Sequence, residues 1–179
     1  MRFVKIIATS IALGAMSISA SYADISKARN YYEFSPNVLT AGQPSKEQLE
    51  TVSADGIEVV INLVPKNESI YNPQQQVILE RQGVEHIHVP VNWSRPKTSE
   101  LTSFLKAMNE VGDRKVLVHC WANARASALV YAHLVLQSPE TKVEEFENLK
   151  RVWTDVAGYN LDRNKTWQNF LDENVGQAQ

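Results

Sequence analysis

The stretch Lys115-Val-Leu-Val-His119-Cys120-Trp121-Ala122-Asn123-Ala124-Arg125-Ala126-Ser127, running on into the mostly apolar segment Ala128 to Leu136, decides how the chain folds. Lys115 to His119 (KVLVH) is almost continuously apolar at its centre, the pattern of a strand covered on both faces. A run of small residues follows. From about Ala126 to Leu136 the chain is apolar nearly all round, as a helix in the middle of a protein must be. Strand, tight loop and central helix are therefore expected in direct succession.

Working outward, Glu58 to Val64 (EVVINLV) reads as a second strand buried on both faces and closed by Pro65, and Glu85 to Val91 as a third. Val38 to Ala41 reads as a short strand ending in a Gly42-Gln43-Pro44 turn. Tyr31, Tyr32 and Phe34 suit a further short strand or a lid. Ser45 caps a helix, with Gln48 completing a capping box, and that helix ends at Gly56. Further helices are expected from Pro73 to Gln82, from Thr98 or Ser99 to Gly112, from Val143 to Trp153 and from Lys165 to Asn174. Alternating strands and helices predict an α/β fold, a central and mainly parallel sheet of four to five strands flanked by helices. Ligands of such sheets sit beyond the carboxyl ends of the strands, and Cys120 lies at that kind of junction.

The loop has the chemistry of an anion site. Unpaired N–H groups at a helix start, with the helix dipole behind them, attract negative charge and favour a thiolate. Arg125 adds a planar fork of donors matched to phosphate-like groups. The small side chains of Ala122, Ala124 and Ala126 leave the backbone open to a ligand. Asn123 suits a left-handed position. Ser127 is placed to hydrogen-bond the sulfur or to hold the loop, and Trp121 to line the mouth of the site or to pack. His119 reads as a hydrogen-bonded brace.

Composition narrows the possibilities. The chain has 179 residues, 44% of them hydrophobic and 21% charged, enough for one domain with a sizeable core. Arg2 and Lys5, the apolar stretch Ile6 to Ile18 and the small-residue site Ser21-Tyr22-Ala23 have the layout of a signal peptide cleaved after Ala23. Residues 24–179 are then the mature domain, periplasmic or secreted. Loss of Arg2 and Lys5 takes the net charge from −2 to −4. Such a surface gives no electrostatic reason to bind nucleic acid, and no stable membrane association is expected after cleavage. Cys120 is the single cysteine, so no internal disulfide forms. His86, His88 and His133 have no carboxylate or thiol at ligand spacing, so neither a metal nor a cofactor is expected.

The loop resembles the H-C-x5-R-[ST] signature of protein tyrosine and dual-specificity phosphatases, with His119, Cys120 and Ser127 at the family's His, Cys and Ser/Thr positions. Leu39 to Leu63 and His88 to Met108 are similar to segments of a small bacterial branch of that superfamily, and the resemblance spans about Ser35 to Leu171. It implies a nucleophilic Cys120, an Arg125 clamp and backbone amides from Trp121 to Ser127 around a phosphorylated small molecule or phosphoprotein. Two features depart from the pattern. Arg125 follows the cysteine by five positions rather than six, a C-x4-R length shared with rhodanese-type sulfurtransferases, and Asn123 replaces a glycine. The loop expected to supply an acidic proton donor, Asn92-Trp93-Ser94-Arg95-Pro96, holds no carboxylate, leaving Glu100, Asp155 and Asp162 as substitutes. Three activities remain open on sequence alone: a cysteine phosphatase, a sulfurtransferase using a Cys120 persulfide, and a non-catalytic oxyanion binder.

Overall fold

The structure is a computed structural model and describes residues 23–176. All but the last residue of the expected signal peptide lies outside those residues. Five strands form one sheet in the order β1-β2-β5-β3-β4. They are β1 (Tyr32–Ser35), β2 (Val38–Ala41), β3 (Val59–Asn62), β4 (Glu85–His88) and β5 (Val116–His119). Only the β1–β2 pair is antiparallel. The segment around Tyr32 and Phe34 is thus an edge strand.

Side-chain alternation along the strands splits the core in two. Val59, Ile61, Val116 and Val118 face the cluster built by α3 (Thr98–Val111), α4 (Ala124–Gln137), α5 (Lys142–Arg151) and α6 (Lys165–Val175). Leu39, Val60 and Leu117 face the cluster built by α1 (Lys46–Thr51), α2 (Gln75–Glu80) and Ile25. The expected capping box forms: Ser45 Oγ accepts from Gln48 N at 3.2 Å, and Gln48 Oε1 accepts from Ser45 N at 2.9 Å. The helical turn after α1 stops at Gly56, where φ is +76°. Eleven residues of α4 are buried, which suits its nearly uniform apolar surface.

Two expectations shift. The central helix begins at Ala124, not Ala126, because Ser127 N already donates to Asn123 O at 2.9 Å. Arg125 is therefore the second residue of the helix. The helix expected from Val143 to Trp153 ends at Arg151 and passes into a wider π turn, Val152–Val156, closed by Ala157 N on Val152 O at 2.8 Å. The turn sets Trp153 among Trp93, Tyr159 and Trp167, with ring centroids 5.2–6.1 Å apart.

β3 and β5 lie side by side, yet their following connections go to opposite faces, to α2 and to α4. A crevice opens where connections diverge in this way, outside the carboxyl ends of the strands. Cys120 lies in that crevice.

Candidate active site

A cavity of about 320 Å³ occupies the crevice. Cys120, Trp121, Ala122, Ala124 and Arg125 line its floor, Glu68, Ser69 and Ile70 come from the loop after β3, and Trp93, Ser94 and Tyr159 complete it. Cys120 is almost fully buried. Its N–H donates to Ala41 O at 3.3 Å, continuing the β2–β5 ladder by one residue before the chain turns.

The turn is left-handed at Asn123, with φ +72°, as its residue type suggested. Its side chain does not face a ligand: Nδ2 donates to Asn30 O at 2.6 Å. A bond in the other direction joins Asn30 Nδ2 to Ala122 O at 3.0 Å. Gly42 lies beneath the loop, where a Cβ would stand 2.6 Å from Trp121 O and 3.0 Å from Arg29 O, so no larger residue fits. Ser127 holds the loop: its Oγ donates to Asn123 O at 2.8 Å and its N–H to the same carbonyl. That amide is spent inside the helix and is not open to an anion.

Arg125 is buried at the helix start. Nη1 and Nη2 meet the two oxygens of Glu68 at 2.6 and 2.8 Å, and Nη1 also donates to Val91 O at 2.9 Å. These bonds use the outer end of the guanidinium. The side edge, Nε–H and the second Nη2 hydrogen, is not used by these bonds. Burial works against the charged form, but the Glu68 hydrogen bonds and the field of Cys120 outweigh it and raise the arginine's pKa above its usual value. Glu68 is thus a brace that sequence reading missed. It lies in a polar loop with no motif, and only the tertiary fold brings it within reach of Arg125.

His119 ends a buried chain of polar groups. Val64 N donates to Asn62 Oδ1 at 2.8 Å, Asn62 Nδ2 to Gln75 Oε1 at 3.1 Å, and Gln75 Nε2 lies 2.7 Å from His119 Nε2. Each bond sets the orientation of the next amide, so the histidine accepts at Nε2 and carries its proton on Nδ1. Burial, with His86 next in effect, pushes its pKa down to about 3. It is a neutral brace under Cys120.

The substitutes considered for the proton donor lie elsewhere. Glu100 accepts from Asn92 N and Lys97 N at 3.3 and 2.9 Å, tying the loop to the start of α3. Asp155 and Asp162 are exposed and outside the cavity lining. Asn92 Oδ1 accepts from Ser94 N and Arg95 N, both at 2.9 Å, so this side chain shapes its own loop. Trp121 is 48% exposed at the mouth, with the Arg29 guanidinium 5.7 Å from its ring centroid. Trp153 and Trp167 are packed away, whereas Trp93 and Tyr159 reach the cavity. Arg95 and Arg151 are exposed and do not line it.

Residues 19–169 match the family described as a DSP-PTPase phosphatase fused to NAD+ kinase. The chain belongs to this family. Among solved structures, this DSP-PTPase chain is similar to a candidate phosphatase of DUF442 from Shewanella putrefaciens CN-32. That protein is 28% identical over 86% of this chain and 96% of its own, with a TM-score of 0.71. Tk-PTP in its active form shares the fold at 20% identity, over 83% of this chain and 97% of its own, with a TM-score of 0.66. The core catalytic domain of the PP-IP phosphatase SIW14 from S. cerevisiae shares it at 16% identity, over 82% and 86%, with a TM-score of 0.65. No curated protein matches the sequence.

Proposed function

We propose that this DSP-PTPase chain hydrolyses phosphate monoesters through a phosphocysteine on Cys120. The observation that carries the reading is the meeting, on one cavity wall, of Cys120, the start of α4 and a buried, braced Arg125. The thiolate Sγ attacks phosphorus, the Sγ–P bond forms, and the bond from phosphorus to the leaving oxygen breaks. Arg125 and the amides of Trp121 to Ala126 hold the three equatorial oxygens. Water then attacks phosphorus, the Sγ–P bond breaks, and phosphate leaves with the thiolate restored.

Loop 92–96 offers no acid to the leaving oxygen, and Glu68 is engaged as an acceptor by Arg125. The leaving group therefore departs as an anion and takes its proton from water. Phenols tolerate this far better than aliphatic alcohols. The aromatic rim of Trp93, Trp121 and Tyr159 suits a ring as well, on a phosphorylated small molecule or a phosphoprotein. Export directed by residues 1–23 would place this activity in the periplasm or outside the cell.

Hydrolysis of p-nitrophenyl phosphate by the protein and by Cys120→Ser, in reductant, tests the reading. Phosphate release that disappears with the thiol supports it. No turnover, with vanadate still bound, would leave a non-catalytic oxyanion binder, the reading that the missing acid favours. Cysteine-dependent thiocyanate formation from thiosulfate and cyanide would replace it with sulfurtransfer.

A further inference from the structure

Two non-glycine residues have positive φ among those described, Asn30 at +52° and Asn123 at +72°. They are hydrogen-bonded to one another's segments. Asn123 Nδ2 donates to Asn30 O at 2.6 Å, and Asn30 Nδ2 donates to Ala122 O at 3.0 Å, across 93 and 92 positions of sequence. Left-handed backbone is unfavourable for residues with a Cβ and persists where the surroundings over-determine it. Here each left-handed residue gives the other a partner.

We propose that Asn30 is a positioning residue for the Cys120 loop: its amide and carbonyl clasp Ala122 and Asn123 so that the amides between Trp121 and Ala126 face the cavity. The proposal rests on the phosphatase reading for its ligand, though not for its geometry. Neighbouring contacts fix the same strap. Gly42 N donates to Arg29 O at 2.6 Å and Gln43 N to Trp121 O at 2.9 Å, placing the end of β2 between strap and loop. The strap is anchored at its far end, where Ile25 N donates to Asp55 Oδ2 at 3.1 Å and Ile25 and Ala28 pack into the α1–α2 core. A loop held on its outer side by a distant, anchored strand of chain keeps its donors aimed without ligand. Pre-aimed donors are what oxyanion stabilisation requires.

Asn30→Gly separates the clasp from the backbone it sits on, because glycine adopts φ +52° freely and keeps the carbonyl that Asn123 uses. The measurements are vanadate affinity, amide exchange of residues 121–126 by NMR, and the thermal midpoint. A positioning role predicts vanadate binding weakened about ten- to a hundredfold and faster exchange of the loop amides, with the midpoint nearly unmoved. Affinity and exchange both equal to those of the unsubstituted protein would overturn it. If the unsubstituted protein binds no vanadate, the phosphatase reading fails by itself, and the loop exchange still decides the clasp in either direction. Should Asn30→Gly not fold, Asn123→Gly cuts the reciprocal bond at a position where glycine is equally at ease, and the same outcomes apply.

Discussion

Arg125 and Glu68 meet fork to fork, at 2.6 and 2.8 Å, across a separation of 57 positions in the chain. The pair explains how an arginine one position nearer the cysteine than the usual spacing still serves the cavity. It is the second residue of α4, Glu68 and Val91 O take up its outer end, and it lines the same cavity as Cys120.

Glu68→Gln keeps the shape of the brace and removes its charge. The guanidinium then keeps its position poorly, and kcat/KM for p-nitrophenyl phosphate is expected to fall about tenfold or more. Because Arg125 is buried and Glu68 is partly exposed, stability is expected to fall by about 1–3 kcal/mol, less than for a fully buried pair. Urea midpoints beside steady-state kinetics check both. Unchanged kinetics would mean that Glu68 has no hold on the clamp.

Absence of an acid on loop 92–96 predicts a steep dependence on the leaving group. Aryl phosphates are expected to exceed alkyl phosphates such as β-glycerophosphate by about 10²–10⁴ in kcat/KM, the usual contribution of a general acid. A flat series of phenyl and alkyl esters would reveal a proton donor somewhere in the site.

His119 links stability to pH. Its folded pKa, about 3, lies below the unfolded value near 6.5, so the unfolded chain takes up the proton first as pH falls. Stability from the neutral ring is complete above about pH 6.5 and is lost progressively toward pH 3, by up to about 1.4 kcal/mol per pH unit. Burial also lowers the pKa of His86 and of His133, which adds in the same direction. In His119→Gln the fall in urea midpoint between pH 7 and pH 5 should be visibly shallower. Parallel curves for the two proteins would show that the ring is not buried neutral.

Gly42→Ala would place a methyl 2.6 Å from Trp121 O. Backbone must move to admit it, at a cost of about 1–3 kcal/mol. Since the carbonyl belongs to the Cys120 loop, vanadate affinity should fall along with the thermal midpoint. A loss of stability with vanadate affinity intact would show that the loop absorbs the shift.

Trp121 and Trp153 separate rim from core. Trp121→Ala removes a half-exposed ring and should raise KM for an aryl phosphate several-fold, with a stability change of about 0.5 kcal/mol or less. Trp153→Ala empties a fully buried site and should cost about 3–5 kcal/mol. Equal melting curves for the two variants would contradict this division.

Local order was legible in the residues themselves. The apolar run of β5, the Ser45–Gln48 capping box, the stop at Gly56 and the all-round apolar surface of α4 follow from side-chain pattern and local hydrogen bonding, which act between near neighbours in sequence. The same local chemistry marked Cys120 at a strand-to-helix junction and Asn123 as a left-handed residue. The two-residue error in where α4 starts has a local cause as well. Ala124 and Arg125 are as compatible with a loop as with a helix, and the first bond of the helix, from Ser127 N to Asn123 O, decides between them.

Sequence by itself thus determined the alternating α/β architecture and the identity of the loop, because both are written in periodicity and in residues a few positions apart. Only the tertiary structure decided what surrounds that loop. Glu68, Asn30 and Gly42 carry no signal of their own: one is an ordinary glutamate in a polar loop, one an asparagine in a segment without periodicity, one a glycine in a turn. Their roles arise when the sheet sets β5 between β2 and β3. That order brings the connection after β3 onto Arg125 and the strap before β1 onto Ala122 and Asn123, contacts whose partners lie 57 to 93 residues apart. No local pattern encodes such a distance; the packing of the two cores against the sheet does.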